Sequence, residues 1–313
     1  MKIAIQMDPI EGVNVDADTT FDLAFEAFAR GHEIWVYEPD MLALDNGRVC
    51  ARARKITAIE RKQGAHVEIA PRASIDLHQF NVVLVRQDPP FNMAYITTTY
   101  MLEHLQPDVL VVNDPKSIRD APEKLFVTLF PDLTPPTLIT RDAARLDDFR
   151  AEHGDMILKP LYGNGGAGVF RLAVDDPNFN ALVEMFFTAS LEPLIAQKYI
   201  PAVRKGDKRI ILLAGEAVGA INRIPAENET RSNLHVGGRA EAINMSERDQ
   251  EICDRIGPVL AERGLILVGI DVIGDYLTEI NVTSPTGLQE VRRFGGPDIS
   301  ALFWDWTEGR VEA

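Results

Sequence analysis

The stretch Ile157-Leu158-Lys159-Pro160-Leu161-Tyr162-Gly163-Asn164-Gly165-Gly166-Ala167-Gly168-Val169-Phe170-Arg171-Leu172-Ala173 decides how this chain is read. Its glycines match the spacing G-x-G-x-x-G. In a dinucleotide-binding fold that spacing opens a helix whose N-terminus holds a pyrophosphate. Here a β-type run comes next instead, Val169 to Ala173. The acid that should end a second strand about 20 residues later would be Glu184, which sits in a helical pattern. The spacing therefore predicts a glycine-rich cover between two paired strands. Glycines let backbone N–H groups approach phosphate oxygens. Lys159, at the end of the preceding strand, can supply charge to them. A plain tight turn beside a solvated lysine is the competing reading.

On the N-terminal side of that loop, the chain alternates strand and helix patterns. Ile3–Met7, Ile34–Tyr37, Val82–Val85 and Val109–Val112 are short apolar runs, and continuous aliphatic runs suit strands covered on both faces. Thr19–Arg30 carries apolar residues at helical spacing and stops at Gly31, a good helix-ending residue. A second helix is predicted over Met93–Leu105. This alternation implies a doubly wound, mainly parallel sheet over about residues 1–120. Asp45-Asn46-Gly47 reads as a turn, and the charged stretch after it fits no element.

A second unit is expected from Pro122, with a helix burying Leu125, Phe126 and Leu129. Strands at Thr137–Thr140, Met156–Lys159, Val169–Ala173 and Leu194–Ile200 alternate with helices at Ala143–Glu152 and Asn178–Thr188, an α+β pattern. The hairpin Arg209–Arg223 turns at Ala214-Gly215-Glu216. The polar segment Ile224–Arg239 reads as a long mobile loop, a functional lid by its length. Ser246–Arg263 is a helix capped by Ser246, and Ile266–Ile273 pairs with Tyr276–Val282 around Gly274-Asp275.

Composition narrows the function classes. The 313 residues hold 32 lysines and arginines against 47 aspartates and glutamates, a net charge of −15. A general nucleic-acid binder needs a basic surface, and an anionic membrane would repel this chain. An anionic small ligand stays possible, because a local pocket can oppose the global sign. No apolar run approaches the roughly 18–20 residues that span a bilayer. The N-terminus does not read as a signal peptide. Cys50 and Cys253 are far apart and form no C-x-x-C pair. Two inert buried thiols in a reducing cytoplasm are expected.

Asp271 ends one strand, and Glu279 and Asn281 lie on the next. Residues two apart on a strand share a face, so three hard oxygen donors can converge, as Mg²⁺ prefers. Carboxylates satisfied by nearby arginines are the alternative. The scarce basic residues gather at strand ends: Arg86, then Lys208-Arg209, then Arg223, with Arg231 and Arg239 in the loop. Arginine suits bidentate recognition of carboxylate or phosphate. The histidines form no pattern, and only His235, in the loop, is placed for a role. Without a Ser-His-Asp or Cys-His arrangement, acyl chemistry through a protein nucleophile is not expected.

Several segments occur in a telling order: Met7-Asp8-Pro9-Ile10, Arg86-Gln87-Asp88-Pro89-Pro90-Phe91, Glu123-Lys124-Leu125-Phe126, Ile157-Leu158-Lys159-Pro160, Gln197-Lys198-Tyr199-Ile200-Pro201, Gly206-Asp207-Lys208-Arg209, Glu229-Thr230-Arg231-Ser232-Asn233 and Thr278 to Thr286. In this order the chain resembles the bacterial glutathione synthetases of the ATP-grasp superfamily along essentially its whole length. The resemblance implies an ATP-grasp fold behind a Rossmann-like N-terminal domain, with domains at 1–121, 122–201 and 202–313. It implies that ATP phosphorylates the C-terminal carboxylate of γ-glutamylcysteine and that glycine displaces phosphate. By position, it assigns ATP to Lys124, Lys159, Gly165, Gly166, Gln197, Lys198, Tyr199, Ile200 and Asp207. It assigns two Mg²⁺, or Mn²⁺, to Asp271, Glu279 and Asn281. Arg209 becomes the transition-state stabiliser, and Arg86, Arg209, Arg223, Arg231, Asn281, Thr283 and Ser284 meet peptide and glycine. A cytoplasmic homotetramer without nucleic-acid or membrane partners is implied. Tyr162-Gly163-Asn164 and Ser232 depart from common family residues and bear on the lid. Another ATP-grasp ligase, or a nucleotide-binding protein without catalysis, is the rival reading.

Overall fold

The computed structural model describes residues 1–163, 165–227, 229, 231–232 and 237–312. Three sheets organise them. The N-terminal sheet is built on Lys2–Gln6, which pairs in parallel with Glu33–Tyr37 on one side and Val82–Val85 on the other. Leu110–Val112 continues the parallel set. Ile3, Ala4 and Ile5 are fully buried, as are all four residues of Val82–Val85. That is why these strands read as unbroken aliphatic runs. The helix Thr19–Ala29 starts at Asp18, whose carboxylate accepts from the Phe21 N–H at 2.6 Å. It stops at Gly31, with φ +80°.

The charged stretch that fits no element is a strand of 12 residues, Arg48–Ile59. It runs antiparallel to Glu33–Tyr37, Leu42–Asp45, Val67–Ile69 and Ala73–Asp76. Val49, Ala51 and Ala53 face inward while Arg48 and Arg52 face solvent. Alanine is too weakly apolar for the period-2 signal to stand out.

The helix expected after Pro122 is a single 3₁₀ turn, Phe126–Leu129. Phe126 and Val127 are its buried residues, whereas Leu125 and Leu129 are exposed. The Glu123 carbonyl accepts from the Ile280 N–H at 3.1 Å. The segment therefore docks along a strand instead of coiling.

The central sheet is antiparallel, ordered Phe170–Leu172, Met156–Pro160, Leu194–Lys198, Thr137–Thr140. Helices Ala143–His153 and Phe179–Ala189 cover it around Leu146, Leu158 and Val183. The C-terminal sheet is ordered Arg239–Ala242, Glu216–Ile224, Asp207–Leu213, Leu267–Ile273, Tyr276–Asn281. Arg239–Ala242 was not legible as a strand. It pairs with Ile221–Ile224 and closes the expected loop from its far end. Helix Glu247–Glu262 begins with a capping box formed by Ser246 and Asp249.

The N-terminal and C-terminal sheets share their cores, while the central sheet keeps its own. The terminal helix Ile299–Glu312 crosses back onto Thr19–Ala29. There Trp304 Nε1 donates to the Leu23 carbonyl at 2.8 Å. The buried Asp22 accepts from Arg61, from Arg292 Nη2 at 2.8 Å and from Ser300 Oγ at 2.6 Å. Among the described residues no helix is long and apolar enough to cross a membrane. Cys253 is buried and its thiol is pushed up to about 12 by that burial. Cys50 is only half-buried, so the expectation of two buried thiols holds for one.

The hairpin turn at Ala214-Gly215 touches the helix Glu247–Glu262 through two glycines. A Cβ on Gly257 would lie 2.2 Å from the Gly215 carbonyl oxygen. Alanine at a helix position normally gains about 1 kcal/mol over glycine. Here the clash reverses the sign. Gly257→Ala should lower stability by about 1–3 kcal/mol, read as a lower Tm in thermal unfolding. An unchanged or raised Tm would contradict the close approach.

Candidate active site

The three sheets enclose one cleft of about 930 Å³. Every residue that the resemblance assigned to ATP, metal, peptide or glycine lines it. The register of the C-terminal sheet explains why. Arg209 lies opposite Asp271, Asp207 opposite Arg223, and Asp271 opposite Glu279. Charged side chains on four neighbouring strands thus share one face.

They form an alternating chain. Arg209 Nε and Nη2 bind the two Asp271 oxygens at 2.6 and 3.1 Å. Arg223 Nη2 sits 3.0 Å from Asp271 Oδ1 and 2.6 Å from Asp207 Oδ2. Burial would raise the Asp271 carboxyl, but Arg209 and Arg223 outweigh it and hold the group below the carboxylate range. Asp207 goes the other way. Burial pushes it up to about 6, against the pull of Arg223, and the negative Asp271 adds to the rise. Ser232 Oγ donates to Asp207 Oδ2 at 2.6 Å, while among the described residues Asp207 Oδ1 is buried without a partner.

A second group faces the glycine loop. Lys159 Nζ lies 3.2 Å and Lys124 Nζ 3.6 Å from Glu279 Oε1. Burial works against the Glu279 charge, and the two lysines overcome it and lower its pKa. Lys124 also donates to Glu123 and to the Gly163 carbonyl. The glycine loop joins Met156–Pro160 to Phe170–Leu172, an antiparallel pair, so no helix opens there and the dinucleotide reading fails. Gly165 and Gly166 take φ +60° and +80°, a region open to glycine. Arg231 Nη1 donates to the Gly166 carbonyl at 3.3 Å. Beside the loop, Gln197 is buried and donates to Thr137 Oγ1 at 3.1 Å, Tyr199 is buried, Ile200 is half-buried, and Lys198 is exposed. Asn164, His235 and part of the expected lid lie outside the described residues.

On the third wall, Arg86 is buried at the end of its strand. It donates to Thr20 Oγ1 at 3.1 Å and to the Pro285 carbonyl at 3.0 Å. Ser284 Oγ donates to Asp88 Oδ1 at 2.6 Å, and Thr283 lines the cleft beside it. Asp8, Asp18, Asp88, Glu123 and Glu290 also line it and were given no role from the sequence. Asp8 and Asp88 could have been found by the rule that located Arg86, since ligands gather at the carboxyl ends of parallel strands. Asp18 reads first as a helix cap, and Glu290 lies in a helix not foreseen.

Could these donors take a divalent cation? Among the described residues no three His, Cys, Asp or Glu side chains gather into a ready metal cluster. Asp271 is engaged by arginines, as the alternative reading had it. Yet the donor chemistry fits a hard cation. Glu279 and Asn281 share a face and line the cleft, and each has a side-chain oxygen to offer a cation. Among the described residues the Asn281 amide nitrogen is buried without an acceptor, a place that an anionic ligand oxygen would fill.

Comparison with known proteins gives the arrangement its context. Residues 1–119 match the model of the prokaryotic glutathione synthetase N-terminal domain, and residues 123–296 match the model of its ATP-grasp domain. Glutathione synthetases of Mesorhizobium japonicum and Brucella melitensis are each 58% identical over 310 residues, 99% of this chain and 99% of theirs. The glutathione synthetase of Vibrio parahaemolyticus is 43% identical over 314 residues, covering 100% of this chain and 99% of its own. Among solved structures, D-cycloserine synthetase DcsG superposes with a TM-score of 0.67 at 13% identity, covering 100% of this chain and 99% of that one. D-alanyl-alanine synthetase A from Vibrio cholerae superposes with a TM-score of 0.64, also at 13% identity, with 100% and 99% covered. Those two likenesses speak to the fold alone. The family models span nearly all of the chain and the relatives are similar from end to end: the chain belongs to the prokaryotic glutathione synthetase family and carries its ATP-grasp fold.

Proposed function

We propose that this protein is an ATP-dependent ligase that joins γ-glutamylcysteine to glycine, giving glutathione, ADP and phosphate. The observation that carries the reading is the pairing of two lysines on Glu279 with two arginines on Asp271 in one cleft. One pair can meet the phosphates of a nucleotide, the other the carboxylate that is activated. The sequence boundaries at 121/122 and 201/202 are taken as the domain divisions, with the lid between 224 and 239.

Each step asks for positioning and charge neutralisation. Lys124, Lys159 and the N–H groups of Gly165 and Gly166 hold the ATP phosphates. Gln197, Lys198, Tyr199 and Ile200 hold adenine, and Asp207 contributes to nucleotide binding. An oxygen of the cysteinyl carboxylate attacks the γ-phosphorus, and ADP leaves. Glycine nitrogen then attacks the acyl carbon, the C–O bond to phosphate breaks, and the amine gives up a proton. Arg209 neutralises the charge that builds on the acyl phosphate. Arg86, Arg223, Arg231, Thr283 and Ser284 orient peptide and glycine, with Asn281 at the junction. Asp271, Glu279 and Asn281 would hold Mg²⁺ or Mn²⁺, which supplies Lewis-acid neutralisation of phosphate charge when bound. Anionic ligands and cations would then take over the partners that now neutralise one another. The protein acts as a cytoplasmic homotetramer on small molecules, without nucleic-acid or membrane partners.

An ADP-release assay across carboxylate and amine pairs tests the substrates. γ-Glutamylcysteine plus glycine should release ADP in the presence of ATP and Mg²⁺. Silence with that pair and turnover with another would assign a different ligase. Glu279→Gln should cut kcat by at least about 10²-fold, because charge stabilisation at the reacting phosphate is lost. Near-normal turnover in that variant would remove Glu279 from the phosphate site.

A further inference from the structure

Asn113 is outside the cleft, and the chemistry above does not use it. It comes directly after the parallel strand Leu110–Val112 and is buried to 4% exposure. A primary amide has two donors and an oxygen that accepts twice, and here all four are used. Nδ2 donates to the carbonyls of Leu267, at 2.9 Å, and Val282, at 2.7 Å. Oδ1 accepts from the N–H groups of Ile266, at 2.7 Å, and Leu267, at 2.9 Å. Ile266 and Leu267 stand at the start of the strand Leu267–Ile273 that bears Asp271, and Val282 directly follows the strand Tyr276–Asn281 that bears Glu279. Their ladder ends at the pair Gly269 and Asn281. Beyond that pair, the amide of a residue from another sheet links the strands where a further rung would stand.

The location matters because Val282 leads into residues that line the cleft. Ser284 Oγ is held by Asp88, the Pro285 carbonyl by Arg86, and the Thr286 carbonyl by Arg209 Nη1 at 3.2 Å. The strap from 282 to 286 is thus anchored at its start by Asn113 and at its end by the guanidinium that also holds Asp271. Between the anchors lie Thr283 and Ser284, both facing the cleft.

We infer that Asn113 is a positioning residue, which fixes where the 282–286 strap meets the peptide and glycine relative to the strands that face the phosphates. The inference rests on the ligase reading for the identity of those substrates. Loss of the Val282 bond shifts the strap and leaves the lysines and the nucleotide segment in place. Peptide and glycine recognition therefore weakens while nucleotide binding does not.

Asn113→Asp keeps acceptors for Ile266 and Leu267 but turns an oxygen on the two carbonyls. Asn113→Ser serves as a milder second variant. In the full-length protein, the KM for γ-glutamylcysteine or glycine should rise at least about 10-fold, as small displacements near a reacting centre do. The Kd of a non-hydrolysable ATP analogue, measured by calorimetry, should stay within about 2-fold, since that site is made elsewhere. Unchanged KM values in the folded variants would overturn the proposal. So would a parallel weakening of nucleotide and peptide, which marks general loosening, or failure of both variants to fold, which marks a structural role alone. A wild-type chain that released no ADP would sink the ligase reading instead. Calorimetric binding of γ-glutamylcysteine would then still separate variant from wild type, and no binding to either would overturn both.

Discussion

Buried charge must be matched, and in this protein β-sheet register does the matching. An unpaired ion in a protein interior is costly enough that the group neutralises or the structure gives way. Asp207, Arg223, Asp271 and Arg209 are all buried, and they sit on directly opposed positions of three antiparallel strands. A slip of one residue would turn every one of them to the other face of the sheet, into an apolar core built around Ile210, Leu212 and Ile270. Hydrophobic patterning on one face and ion pairing on the other therefore enforce the same register. The lysine pair on Glu279 depends on it as well, because Glu279 is opposed to Asp271.

This explains the disparity between the net charge of −15 and the anionic ligands proposed. The cleft is a region of local balance in an acidic molecule. Its lysines and arginines neutralise Glu279 and Asp271. The acidic surplus belongs to the rest of the surface and favours solubility.

Most of the frame was legible because it rests on short-range patterns. Val82–Val85 and Thr137–Thr140 have the bounds read from the sequence, and the Gly274-Asp275 turn joins its two strands as read. The glycine loop was understood through the β-type run on its C-terminal side, not through its motif. The features that escaped were encoded by distant partners. Arg48–Ile59 is a strand because four others pair with it, and its inward alanines give little local signal. The turn after Pro122 is governed by Ile280, far along the chain. In the site, the basic residues at strand ends were found, whereas Asp8 and Asp88 past the ends of parallel strands, and positions in caps or unforeseen helices, were not. Asp18 and Glu290 look ordinary until the cleft forms around them. The resemblance supplied the roles, and the register supplied a reason for the convergence.

The terminal helix has a bearing on how the chain is made. Phe21, Ile34 and Ile5 share a core with Phe303 and Trp304, residues separated by nearly the full length of the polypeptide. Such long-range contacts slow folding, because the entropy of closing the loop is lost before the contact rewards it. The first helix therefore emerges from the ribosome well before the later helix that completes its cover. During that interval the N-terminal sheet must rely on provisional burial or a chaperone. The central sheet, whose core is its own, needs no such wait and can fold ahead of the part that precedes it.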